Sequence, residues 1–163
     1  MEKERVTHTF EPVYREDSRI LILGTFPSVK SREKQFYYGH PQNRFWKVLA
    51  ELAYDEIPKT IEEKKKFLLQ HKIALWDVIQ SCTIEGSSDS SIRDVVPNDI
   101  SMILEQSRIE AIYANGAKAY SLYEKYMYPL CSKQAIKLPS TSPANAAFSL
   151  ERLVKEWGKY ILL

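Results

Sequence analysis

The side chains with the most chemical capacity in this chain fall in two short segments that lie far apart in sequence. The first runs through Gly24, Thr25, Phe26, Pro27 and Ser28 and continues as Phe36-Tyr37-Tyr38-Gly39-His40-Pro41-Gln42-Asn43-Arg44-Phe45-Trp46; the second is Leu138-Pro139-Ser140-Thr141-Ser142-Pro143-Ala144-Asn145. In the first, a glycine allows a tight exit from a strand and a proline fixes the turn that follows. The backbone amides left at the sheet edge could hold a flat ligand. The segment lacks the glycine spacing of a dinucleotide-binding turn and of a phosphate loop, which disfavours nucleotide cofactors bound by those routes. Any one of Phe36, Tyr37 and Tyr38 reads as core packing, yet three in a row from an irregular segment cannot all face inward, so at least one offers a stacking surface. Aromatic faces beside basic residues are recurring equipment for gripping a nucleobase. Lys30, Arg32, Lys34, His40, Arg44 and Lys47 cluster here with Glu33 as the only acid among them, a grouping that reads equally well as a solvated helix face. Asn43 precedes an apolar-periodic run and reads as its N-cap, or as an amide that binds a base edge or orients a water; the two roles compete for one side chain. In the second segment the hydroxyls of Ser140, Thr141 and Ser142, at a helix start stiffened by Pro139 and Pro143, suit phosphate oxygens. The same residues also read as a rigid turn that ends in a helix cap.

Both segments follow short apolar runs, residues 19–24 and 135–138, that read as buried strands. Residues 72–78 and 109–114 read as two further strands. Helices are expected over 43–54, 60–70 (opened by a Thr60/Glu63 capping box), 97–106, 117–126 and 148–160. The polar stretch 80–94, with Gly86 among five serines, reads as a long loop. Strands alternating with helices predict an α/β fold: a single three-layer α/β/α domain spanning residues 1–163 around a short, mostly parallel sheet of about four strands. In such sheets the loops at the carboxyl ends of the strands meet in one ligand crevice, so the two segments form one composite site. Apolar residues at 44% and charged residues at 27% argue for a folded protein, and a net charge of +2 is too small to argue for nucleic acid by itself. No run spans a membrane and the polar start has no signal-peptide core, which predicts a cytoplasmic protein. Two cysteines, Cys82 and Cys131, and three scattered histidines, His8, His40 and His71, predict no metal site.

The strings L-G-T-F-P-S, F-Y-Y-G-H-P-Q-N-R-F-W and L-P-S-T-S-P-A-N resemble the uracil-DNA glycosylase superfamily, closest to its hypoxanthine-DNA glycosylase branch, with similarity to the mismatch-specific uracil/thymine glycosylases in H-P-x-N-R-F-W. The resemblance covers essentially the whole chain. It implies hydrolysis of the N-glycosidic bond of a deaminated base flipped out of DNA, hypoxanthine favoured, with uracil or a mismatched base as other substrates and no cofactor. Residues Gly24, Thr25, Phe26, Pro27 and Ser28 would be the water-activating motif. Phe26 stands where the mismatch-specific enzymes have asparagine, which places strong uracil cleavage in question and transfers the catalytic role to Asn43. One of Tyr37 and Tyr38, Tyr38 by preference, would stack on the base. His40 would join the base pocket, and Asn115 would read the base or cap a strand. Asp77, in a D-V-I-x-S-C string, would accept from a purine N–H or anchor its loop, and the loop 81–91, with a G-S-x-D-S string at Gly86–Ser90, also resembles the branch without an assigned role. Ser140, Thr141, Ser142, Pro143, Ala144 and Asn145 would pinch the phosphate beside the target and supply a wedge, with Lys30 and Arg44 also on the DNA. The partner is DNA containing a deaminated or mismatched base, bound by a monomer. Thr25 and Phe26 at the water-activating positions keep a second expectation open, a catalytically weak or inactive nucleic-acid-binding module of the same fold. A hydrolase of free nucleosides is a third.

Overall fold

Two sheets organise the chain in the computed structural model, which describes residues 3–163. In chain order the elements are β1 (Lys3–Thr7), β2 (Ile20–Gly24), α1 (Val29–Lys34), α2 (Phe45–Ala53), α3 (Ile61–Gln70), β3 (Ile73–Asp77), β4 (Ile79–Glu85) and β5 (Arg93–Pro97). Then follow α4 (Ser101–Gln106), β6 (Ala111–Asn115), α5 (Ala117–Leu122), α6 (Tyr128–Cys131), β7 (Ala135–Leu138) and α7 (Leu150–Gly158). Strands β3, β2, β6 and β7 lie side by side in that order as a parallel sheet, and β1, β4 and β5 form a smaller antiparallel one.

The parallel strands are apolar runs because both of their faces are covered. Side chains alternate along each strand: Ile22, Ile73, Leu75 and Tyr113 pack on one side with Phe45, Trp46 and Leu49 of α2, Phe67 and Leu68 of α3, and Leu153 and Trp157 of α7. Leu21, Leu23, Ala74 and Ile112 pack on the other with Ile103 of α4, Leu122 of α5, and Ile79, Cys82 and Ile84 of β4. The expected α/β fold with its parallel four-strand sheet is observed, and the face covered by α4 and α5 also carries the antiparallel sheet.

Register decides what reaches the edge of the parallel sheet. Gly24 pairs with Asp77, Leu23 with Ala114, and Asn115 with Leu138, so Gly24, Asp77, Asn115 and Leu138 form its last row. From β2 the chain goes first to β3 on one side and later to β6 on the other. The gap above β2 and β6 is therefore the switch point at which α/β sheets open a crevice.

Several local expectations are corrected. The stretch 80–94 is not a loop: β4 runs to Glu85, a 3₁₀ turn spans Asp89–Ser91, and β5 returns antiparallel. Register irregularities between Ile79, Ser81 and Thr83 interrupt the alternation that would have marked β4 in the sequence. Its partner β1 is almost entirely exposed and carries no apolar pattern. The helix expected from Pro97 starts at Ser101, because Pro97 closes β5 and Asp99 Oδ1 accepts the Ser101 N–H at 2.9 Å. The six-residue α1 was not anticipated; Ser28 caps it. The capping box of α3 is present, Thr60 Oγ1 accepting from Glu63 N at 3.0 Å and Glu63 Oε1 from Thr60 N at 3.4 Å.

Candidate active-site cleft

A cleft of about 530 Å³ opens above the carboxyl ends of the parallel strands, within the usual range for small-ligand sites. Gly24, Asp77 and Asn115 of the sheet's last row form its floor. A Cβ on Gly24 would overlap Asp77 Oδ1 and stand 2.8 Å from the Tyr38 hydroxyl, so only glycine leaves room for the two groups that converge there. Asp77 is buried, and its Oδ2 lies 2.8 Å from His8 Nε2, whose side chain is only 2% exposed. The side chain of Asn98 holds the Asp77 backbone, its Nδ2 donating to the Asp77 carbonyl at 2.9 Å.

Asn115 is also buried, and its amide joins the two loops. Nδ2 donates to the Tyr38 hydroxyl at 3.2 Å and to Thr141 Oγ1 at 3.0 Å, while Oδ1 accepts the Thr141 N–H at 3.1 Å. Both amide hydrogens are thereby spent on a brace rather than turned toward a ligand, which corrects the expectation that Asn115 reads a base.

The aromatic run divides as its burial dictates. Phe36 and Tyr37 are core, Tyr37 wedged edge-on against Phe10 and Phe36 with its hydroxyl donating to the Glu11 carbonyl at 2.7 Å. Tyr37 touches the cleft but has no free face. Tyr38 is half-buried, has a left-handed backbone (φ 52°) and stacks one ring face on Phe45 at 3.9 Å. For a bulky side chain that conformation is unusual, and the surrounding contacts must hold it in place. Burial first, and then the negative charge of Asp77, push both phenols far above the ordinary tyrosine range, so they stay neutral.

Phe26 lies edge-on to His8, with the Arg32 guanidinium over its ring. Thr25 and Pro27 line the cleft, and the Ser28 hydroxyl is occupied by the Ser31 N–H at 3.2 Å. Asn43 sits on the rim. Its Oδ1 accepts the Phe45 N–H at 2.9 Å, opening α2 from one residue before Arg44, which occupies the N-cap position but makes no side-chain cap bond. The cap expected of Asn43 is thus made in offset form, and it leaves the Nδ2 donors without a protein partner among the described residues. His40 Nδ1 accepts the Gln42 N–H at 3.1 Å.

The second loop forms the facing wall through Ser140, Thr141, Ser142, Pro143 and Ala144. It is tied internally, Ser140 Oγ accepting from Ser142 N and Ser142 Oγ from Ala144 N, both at 3.1 Å. Arg44 holds it from behind. Its guanidinium donates to the carbonyls of Ser142 at 2.7 Å, Asn145 at 3.1 Å and Phe148, and its backbone N–H to that of Thr141 at 3.1 Å. Expected on DNA, Arg44 is instead an internal clamp, because these carbonyls take up its donors. Asn145 faces a neighbouring depression with Lys137 and Phe148 and braces the loop by donating to the Ser140 carbonyl at 3.0 Å. Lys30 lies outside the cleft on the exposed side of α1, 3.5 Å from Glu33.

Two contributors had no site role assigned from the sequence, although the string Gly86-Ser87-Ser88-Asp89-Ser90 resembles the family. The turn between β4 and β5 supplies a third wall, Ser87, Ser88, Asp89 and Ser90, pinned where Ser87 Oγ accepts the Val29 N–H at 2.9 Å. The other is His8, brought under Asp77 by β1; a lone histidine in a polar stretch gave no sign of it. Among the described residues no three His, Cys, Asp or Glu side chains gather as a metal site requires, and no helix is long and apolar enough to cross a membrane.

A family model described as the uracil DNA glycosylase superfamily matches residues 11–159. A protein of Methanosarcina acetivorans named hypoxanthine DNA glycosylase is 39% identical over 150 residues, covering 91% of this chain and 93% of its own. One of Methanosarcina barkeri with the same name is 33% identical over 152 residues, covering 92% and 94%. The solution NMR structure of a candidate uracil DNA glycosylase from Methanosarcina acetivorans superimposes with a TM-score of 0.79 at 38% identity, covering 93% of each chain.

Proposed function

The chain belongs to the uracil DNA glycosylase superfamily, and from that premise we propose that it is a monofunctional DNA glycosylase that removes a deaminated base, hypoxanthine by preference, from DNA. The observation that carries this reading is the convergence in one cleft of a buried carboxylate (Asp77), a tyrosine ring (Tyr38), an asparagine with free amide hydrogens (Asn43) and a hydroxyl-rich loop. Two relatives named hypoxanthine DNA glycosylase support the choice of base, as does Phe26, an apolar ring where an amide would suit uracil.

A base inside the duplex is out of reach, so the enzyme extrudes it, and a deaminated or mispaired base costs least to extrude. The extruded base enters the cleft and lies against Tyr38. Asp77 Oδ1 accepts from its ring N–H. As the glycosidic bond breaks, electron density moves onto the base and the sugar becomes oxocarbenium-like. Backbone amides of the loop after Gly24 stabilise the departing anion, as an oxyanion hole does. The Asn43 amide hydrogen-bonds the base or orients the water. An amide is no strong base, so positioning and leaving-group stabilisation supply most of the rate. Residues 140–144 grip the strand beside the target, Lys30 adds charge at the periphery, and the enzyme works as a single-domain monomer in the cytoplasm without a cofactor.

The test is a panel of duplexes carrying one hypoxanthine, uracil or mismatched base, scored for abasic product. Hypoxanthine should be released fastest. Tight binding with no abasic product on any lesion would instead favour a binding module, the reading that Thr25 and Phe26 at the water-activating positions keep open.

A further inference from the structure

The mechanism above uses one oxygen of Asp77 and leaves open what fixes that carboxylate. Oδ2 meets His8 Nε2 at 2.8 Å, and the two side chains are 2% and 6% exposed. The contact is built from both sides. The His8 backbone N–H donates to the Gln80 carbonyl at 2.6 Å, continuing the pairing of β1 with β4. Its ring lies among Phe10, Tyr37 and Phe26, with centroids 4.4, 5.9 and 6.2 Å away. The imidazole therefore cannot swing aside. Asp77 Oδ1 is turned over Gly24 toward the cleft. His8 also lies outside residues 11–159, the span matched by the family model.

The chemistry of the substrates makes this contact consequential. Deamination converts a ring nitrogen from acceptor to donor: hypoxanthine and uracil carry an N–H next to the new carbonyl, as guanine and thymine also do, where their parent bases adenine and cytosine present a lone pair. A carboxylate accepts from the former and repels the latter.

We infer that His8 is a positioning residue for base recognition: by donating from Nε2 to Asp77 Oδ2 it fixes the carboxylate with Oδ1 turned to the cleft, where Oδ1 receives the ring N–H of the flipped deaminated base. The inference rests on the glycosylase reading. Its test compares wild type, His8→Phe, which keeps a ring among the aromatic neighbours but removes both nitrogens, and His8→Gln, which keeps an amide donor near the Nε2 position. The expected result is a loss of about 10–100-fold in hypoxanthine excision for His8→Phe, the size of effect seen when the partner orienting a functional group is removed, with recovery to within about fivefold of wild type for His8→Gln. Affinity for a duplex carrying a tetrahydrofuran abasic analogue, which has no base to read, should stay unchanged in both. Equal losses in the two variants, an unaltered rate in His8→Phe, or a parallel fall in abasic-site affinity would reduce His8 to a packing residue and overturn the inference. Long-range ¹H–¹⁵N NMR of wild-type protein needs no variant to fold: a proton on His8 Nε2 supports the assignment, and a lone pair there overturns it. If wild type excises no lesion, the glycosylase reading fails and takes the inference with it. If wild type is active and the variants are indifferent, the inference alone fails.

Discussion

Gly24 is the tightest point of the cleft, since any side chain there meets Asp77 and Tyr38 at once. Gly24→Ala should lower stability by about 1–3 kcal/mol, the usual cost of overpacking, and should abolish excision because the methyl group displaces the carboxylate or the tyrosine. Thermal denaturation and abasic-product formation on the same preparation measure both effects. In the proposed mechanism Asn43 divides its side chain between two tasks, and the two can be separated. Asn43→Asp keeps the oxygen that accepts the Phe45 N–H but removes the amide hydrogens. It should fold with nearly wild-type stability and lose at least about 10²-fold in rate, the scale of a deleted transition-state donor. Asn43→Ala should lose the rate and also about 0.5–2 kcal/mol of stability, as lost helix caps do. A rate unchanged in Asn43→Asp would remove Asn43 from the chemistry.

At the scale of elements, the four parallel strands were readable because each is an unbroken apolar run buried on both faces. That was enough to bring the loops after β2 and β7 to one edge. The antiparallel sheet was not readable: β1 is solvent-facing, β4 is irregular in register, and β5 carries only a partly buried side. The consequences fell on the site, because β1 delivers His8 and the β4–β5 turn delivers a wall. Arg44 shows a different limit. Its place in a basic cluster suggested phosphate, whereas the carbonyls that take its donors lie about a hundred residues away, and no local pattern reports such a clamp. Arg44→Met should destabilise the protein by about 2–3 kcal/mol, the range for bonds made by a charged donor, and weaken DNA binding by loosening residues 140–148. The slope of log affinity against log salt should not change, because no phosphate contact is lost. A direct phosphate contact would lower that slope by about one.

For the molecule as a whole, the buried tyrosines set an alkaline limit. Tyr37 and Tyr38 hold their protons more tightly when folded than unfolded, owing first to burial and then to Asp77. The stability they contribute is fully present below the unfolded tyrosine value of about 10 and declines as pH rises beyond it, where the unfolded chain releases protons that the folded chain retains. Urea denaturation midpoints should therefore be insensitive to these groups up to about pH 9 and fall above about pH 10. Tyr38→Phe should make the fall shallower, and an unchanged slope in that variant would show that Tyr38 takes no part.

The proposed reaction is hydrolytic release of a flipped base that lies against Tyr38 and hydrogen-bonds to Asp77. The most direct measurement is single-turnover incubation of the protein with a duplex containing one deoxyinosine, with the released base identified by mass spectrometry and the strand assayed for an abasic site. Free hypoxanthine in equal yield with abasic strand, released at least about 10²-fold more slowly by Asn43→Asp, is the predicted result. A wild-type complex that binds the duplex yet releases no base, with uracil and mismatched duplexes equally untouched, would contradict it.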